Sequence, residues 1–215
     1  MSKVTTPSCV DCGTQNCKFK DRSYPEFCPT TNLKEEDASW ALERYQDDRN
    51  HEVMVASAEV EFEGYCQWTR VEEIMQFARK IGAVKIGIAN CIGLINEARI
   101  FAKILRANNF EPYAVICKVA GKEKSSIGIP CECETIGAAM CNPILQARLL
   151  NEIKTDLNVV IGLCVGHDSL FYKYSEAYAT TLVTKDRITG NNPAAALYTA
   201  NSYYAKKLAL TTKSK

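Results

Sequence analysis

The sequence predicts an α/β fold: a three-layer sandwich built on a four-stranded parallel sheet, preceded by a cysteine-rich arm and a helical segment. Three observations carry that expectation. Short apolar runs after Gly82 alternate with amphipathic stretches of helical period, the grammar of strand–helix–strand units with right-handed crossovers. Glycines or cysteines sit at the strand-to-helix junctions. The segment from Ser8 to Leu33, by contrast, carries four cysteines and few aliphatics, and cannot make a core of its own.

In chain order, the arm spans residues 1–34 and contains Cys9, Cys12, Cys17 and Cys28. A helical segment over 35–82 follows, with a pair of helices joined near Asn50, the first carrying Trp40, Ala41 and Tyr45, the second Val53, Met54, Ala58 and Val60. Thr69 caps a third helix with Val71, Ile74, Phe77 and Ala78 inward, and Gly82 ends it. The α/β domain is expected over 83–208. Its strands are Val84 to Ala89, Pro112 to Cys117, Val159 to Leu163 and Ala179 to Thr184. Helices are expected over Ile95 to Asn108, over Asn142 to Ile153 with Pro143 in the first helical position, and from Asn192 to near Leu208. Residues 209–215 read as a polar tail.

Composition narrows the function. The chain has 215 residues, 47% apolar and 24% charged, enough for a hydrophobic core and too apolar for a disordered chain. Lys plus Arg number 26 and Asp plus Glu 25, a net charge of +1. Without a basic excess or a long single-sign block, nucleic acid is not an expected partner. Met1 to Ser8 are polar, and the most apolar run, Val159 to Val165, is too short to span a bilayer, so the expectation is a cytoplasmic protein without a membrane partner.

Eleven cysteines against two histidines, His51 and His167, are the anomaly. In a reducing compartment such thiols are metal ligands or catalytic groups before they are disulfides. Cys9-x2-Cys12-x4-Cys17-x10-Cys28-Pro29 supplies four thiolates from one coreless segment, and a metal would bring the folding energy that the segment lacks. Spread single cysteines and a Cys-Pro ending fit an iron–sulfur cluster, a 4Fe-4S cubane, better than zinc, which usually pairs two Cys-x-x-Cys knuckles and stays as the alternative.

A second set appears once the strands are placed. Cys91 follows the first strand, Cys117 closes the second, Cys164 follows the third, and Cys141 precedes a helix start. In a parallel sheet these ends share one edge, the usual ligand crevice, so the four are expected to form a second cofactor-binding site, a second cluster being one occupant. The alternative is that cysteine simply packs well at strand ends. Gly162-Leu163-Cys164-Val165-Gly166-His167-Asp168-Ser169 turns from strand to helix and offers Cys164 and His167 as a catalytic pair, nucleophile and base; against it stand a histidine bonded to backbone and an Asp168 that only caps a helix. Lys185 and Arg187 would reach the same edge and offset negative charge, unless they are a solvated charge run. Gly87-Ile88-Ala89-Asn90-Cys91-Ile92-Gly93 lacks the dinucleotide fingerprint, so nicotinamide is not expected. Cys66 reads as a passive thiol, and Cys131-x-Cys133 as an exposed dithiol or accessory pair.

Asn90-Cys91-Ile92-Gly93-Leu94, Cys141-Asn142-Pro143-Ile144, Gly162 through Phe171 and Lys185-Asp186-Arg187, together with the four-cysteine arm, resemble a family of cysteine-rich proteins of anaerobic bacteria and archaea, domain of unknown function eighteen-forty-seven. The resemblance implies metal binding and names no reaction. The family pattern has a histidine where Asn191 stands and an Ala-Pro pair at Ala177-Tyr178, and it does not include Cys66, Cys131 or Cys133. The leading expectation is an iron–sulfur redox protein whose arm cluster relays electrons to the second site, with a redox partner protein and an unspecified small-molecule substrate. The competing ones are a zinc-stabilised binding or regulatory module and a thiol enzyme using Cys164 with His167.

Overall fold

A computed structural model describes residues 6–18 and 23–210. Residues 1–5 and 19–22 of the arm and most of the 209–215 tail thus lie outside the described residues. The chain divides into two compact units, residues 1–58 and 59–215.

The first unit contains 3-10 turns at Cys9–Asp11 and Asn16–Lys18, a four-residue helix α1 (Pro29–Asn32), helix α2 (Glu35–Arg44) and most of α3 (Asp48–Gly64). The break between α2 and α3, expected near Asn50, falls at 45–47. Asp47 Oδ1 accepts from the Arg49 and Asn50 amides, and Asn50 donates back to the Arg44 carbonyl, so the Asp is the cap and Asn50 is already helical.

The second unit begins with the last residues of α3, followed by α4 (Arg70–Lys80). Thr69 and Glu72 form a reciprocal capping box at its start, and Gly82 beyond its end takes φ +66°, as a helix stop needs. Strand β1 (Lys85–Asn90) leads through α5 (Ile95–Ala107) to β2 (Glu111–Ile116), and then through α6 (Pro143–Ile153) to β3 (Leu157–Ile161). Helix α7 (His167–Tyr174), β4 (Tyr178–Val183) and the short α8 (Ala194–Tyr198) complete the unit. All pairings are parallel, and the order is β2-β1-β3-β4. Right-handed crossovers place α5, which steps from β1 to β2, on the face opposite α6 and α7, which step the other way. Alternation along the strands then sorts the side chains. Ala89, Cys91, Val115, Cys117 and Val160 face α6 and α7, packing on Ala147, Leu150 and Phe171.

The expected terminal helix stops at Tyr198, and turns run from Thr199 to Ala209. Thr199, Asn201, Ser202, Tyr203 and Tyr204 are weak helix formers, and the Thr199 hydroxyl bonds back to the Ala195 carbonyl. Among the described residues no helix is long and apolar enough to cross a membrane.

Candidate functional site: two cysteine clusters

The sheet edge is built by register. Asn90 pairs with Ile116 on one side and Ile161 on the other, so β1, β2 and β3 end level. The next residues continue the ladder, because the Cys91 amide donates to the Ile161 carbonyl (3.0 Å) and the Cys117 amide to the Asn90 carbonyl (2.8 Å). Cys141 is brought in by the residue after it, whose amide donates to the Cys117 carbonyl (2.8 Å). Asn142 also caps α6 through its side chain, and Pro143 starts that helix, so the helix start and the strand end are tied at one point. Below them the fully buried Gln146 amide donates to the Val115 and Asn90 carbonyls, at 2.6 and 3.3 Å. This fastens α6 to the ends of β1 and β2.

The outcome is a chain of sulfurs with Cys117 at its centre. Cys117 Sγ lies 3.8 Å from Cys141 Sγ, is hydrogen-bonded on its other side to Cys91, and accepts from the Ile92 amide at 3.3 Å. Cys117 is 2% exposed, Cys91 is 7% exposed, and Cys141 is half-buried at the mouth. Shared protons and nearby cations divide the three by charge. The hydrogen bond with Cys117 holds Cys91 down to about 5 against its burial, with help from the Gly93 amide and the Lys185 ammonium. Cys141 is held down to about 4, first by Cys117, then by the His167 imidazole, with Lys118 adding its charge. Cys117, between two sulfur anions and out of water, is pushed far up and stays a thiol. His167 is raised in return, chiefly by Cys141.

Cys164 reaches the same edge by another route. Gly162 turns out of β3 with φ +63°, a conformation that side chains disfavour, and a Cβ there would run into Leu94. Arg187 Nη2 lies 3.2 Å from Cys164 Sγ. The arginine's charge also feels Cys91 and Cys141, so all four sulfurs belong to one electrostatic group.

The structure therefore assembles Cys91, Cys117 and Cys141, with Cys164 beside them, and it pairs the other groups differently from the expected Cys164–His167 couple. His167 serves Cys141, Arg187 serves Cys164 and Lys185 serves Cys91. Helix α7 begins at His167, whose amide donates to the Cys164 carbonyl while its imidazole bonds to Cys141, just before α6. Asp168 is not the residue preceding the helix; its carboxylate accepts from the Gly166 and Ser169 amides within the turn. Sequence reasoning missed Lys118, although it directly follows Cys117, and missed Gln146, whose polar side chain at a core position of α6 was the signal. Cys66, Cys131 and Cys133 are exposed and take no part.

In the first unit Cys9, Cys12, Cys17 and Cys28 all line one cavity of about 300 Å³, together with Phe27 and Pro29. Hydrogen-bond donors sit beside the sulfurs. The Thr14 hydroxyl, at 3.5 Å, and the amides of Gln15 and Thr14 bring the Cys12 thiol below its usual value. Burial pushes the Cys28 thiol up, yet the Thr30 hydroxyl and the Thr30 and Thr31 amides outweigh it and bring it down. Those amides are free because Cys28 precedes α1, whose first turn has no partners of its own. Cys17 Sγ lies 3.5 Å from the Thr30 hydroxyl. Among the described residues no three His, Cys, Asp or Glu side chains close into a cage around a single ion. The four arm cysteines instead line one open cavity.

Residues 28–182 match a family described as a protein of unknown function, DUF1847. An uncharacterized protein of Methanocaldococcus jannaschii is 49% identical over 167 residues, which cover 78% of this chain and 85% of the relative. No solved structure matches the chain.

Proposed function

The chain belongs to the DUF1847 family of unknown function, and from that premise we propose that it is an iron–sulfur redox protein whose cluster is held by Cys9, Cys12, Cys17 and Cys28. The observation that carries this reading is the convergence of all four arm cysteines on one cavity. Such a cluster supplies one-electron transfer when bound. The chain's own residues account for the rest. Thr14, Gln15, Thr30 and Thr31 stabilise thiolate sulfur by hydrogen bonding, and Phe27 with Pro29 keeps one wall apolar. Low dielectric and sulfur-directed donors are two of the means by which a protein sets a cluster's potential.

The test is anaerobic purification followed by iron, sulfide and zinc analysis, with absorption spectroscopy. Iron and sulfide in near-equal amounts, with a broad thiolate-to-iron band, are expected, and both are lost from the Cys12→Ser/Cys17→Ser double variant. Stoichiometric zinc without iron or sulfide, or iron retained by that variant, overturns the assignment.

A further inference from the structure

We propose that Cys117 and Cys141 are a dithiol–disulfide couple that reduces a low-molecular-weight disulfide at the sheet edge. This lies in a different unit from the arm cavity and does not depend on the cluster.

Placement comes first. The two sulfurs are 3.8 Å apart, and the Asn142 amide bonded to the Cys117 carbonyl holds the two backbones side by side. A disulfide needs about 2.05 Å, so the sulfurs must close by less than about 2 Å, which a side-chain rotation of Cys141 at the mouth supplies. Exposure is unequal in the way a two-step exchange requires, because Cys141 is open to a ligand and Cys117 is sealed behind it. Cys91 is hydrogen-bonded to the buried sulfur and His167 to the open one, so each member of the pair has its own proton partner.

The chemistry follows from these contacts. Cys141 sulfur, as thiolate, attacks one sulfur of the small disulfide; the substrate S–S bond breaks, a mixed disulfide forms on Cys141, and the leaving thiolate takes a proton from His167. Cys117 then passes its proton to Cys91 as its sulfur attacks Cys141 Sγ. The second substrate thiolate leaves, and the Cys117–Cys141 bond is made. Two electrons pass from the protein pair to the substrate, which departs as one thiol and one thiolate. Cys91 ends protonated and His167 neutral, so charge and protons balance. Lys118 and Arg187 beside the mouth favour the departing anions.

Anaerobic protein treated with hydroxyethyl disulfide and mapped by mass spectrometry under non-reducing conditions tests this without a variant. The expected product is one peptide pair joined through Cys117 and Cys141. Cys117→Ser should instead trap the mixed disulfide on Cys141, and Cys91→Ser should slow its resolution by on the order of 10²-fold, the usual loss with a general base. No Cys117–Cys141 link in the oxidised wild type, or a Cys91–Cys117 or Cys141–Cys164 link in its place, overturns the proposal. Iron and sulfide assayed on the same preparation report separately on the arm, so either reading can fail alone.

Discussion

The charge division along the sulfur chain has a kinetic signature that can be worked out in advance. Consider alkylation of the protein by iodoacetamide between pH 6 and pH 8, with free cysteine in the same tube as comparator and Cys141 quantified by its peptide. Free cysteine, with a pKa of about 8.5, is roughly 0.3% thiolate at pH 6 and roughly 24% at pH 8. Cys141, held down to about 4, is fully thiolate throughout. Its sulfur is also less basic by about 4.5 units, which at a Brønsted slope of 0.4–0.5 lowers its intrinsic reactivity about 100-fold. The product of the two effects makes Cys141 about 3-fold faster than free cysteine at pH 6 and about 25-fold slower at pH 8. Partial burial scales both rates alike, so the flat profile is the decisive feature. In His167→Ala the onset of the plateau should move to higher pH, because a hydrogen bond and a positive charge leave Cys141 while those of Cys117 and Lys118 stay. A Cys141 rate that climbs tenfold per unit from pH 6 to 8 would falsify the assignment of Cys141 as the standing thiolate.

The same thiolate links stability to pH. A thiol whose folded pKa lies below its unfolded value stabilises the fold fully above that unfolded value, about 8.5, and the contribution disappears as pH falls through about 4. The stability gap between wild type and Cys141→Ser, measured by denaturant unfolding, should therefore be wider at pH 8 than at pH 5; an equal or narrower gap at pH 8 contradicts the linkage. In the sheet, a Cβ at Gly87 would overlap Asn158 Oδ1 and touch Leu150. Asn158 bridges the Thr155 and Ser175 hydroxyls, both at 2.8 Å, so Gly87→Ala should cost about 2–4 kcal/mol through overpacking and lost buried hydrogen bonds; thermal unfolding within 1 °C of wild type would show, at about 2–4 °C per kcal/mol, that the neighbours yield freely.

Much of this arrangement was legible in the sequence because it depends on local signals. The strands lie within two residues of their expected ends, since each is a short run bounded by turn chemistry, buried along β1 and β3, and Thr69, Gly82 and Pro143 mark helix ends by mechanisms confined to one turn. Convergence of Cys91, Cys117 and Cys141 was also readable, because parallel strands place their C-terminal ends together. Which group serves which sulfur was not. Whether His167 turns to Cys164 or to Cys141 depends on the rotation of α7 about its start and on the place of α6, distances set by packing between segments far apart in the chain. The terminal helix was overread because Asn192-Pro193 and the alanines that follow announce a helix start, while its early end is set by Thr199 and the polar and aromatic residues beyond it.

The level ends of β1, β2 and β3 also govern when the thiols can meet. Helix α5 and strand β2 separate Cys91 from Cys117, α6 and β3 separate Cys141 from Cys164, and the ladder that holds Cys91 needs Ile161 of β3 as its acceptor. While the chain is being synthesised from its N-terminus, β1 and β2 emerge long before the strand that will lie on the other side of β1. The sulfur chain is thus completed late in sheet assembly: Cys117 and Cys141 can be joined through β1, β2 and the start of α6, but Cys91 gains its β3 acceptor and Cys164 arrives only when β3 inserts beside β1. The arm follows the opposite schedule, since Cys9 to Cys28 leave the ribosome together within one short stretch.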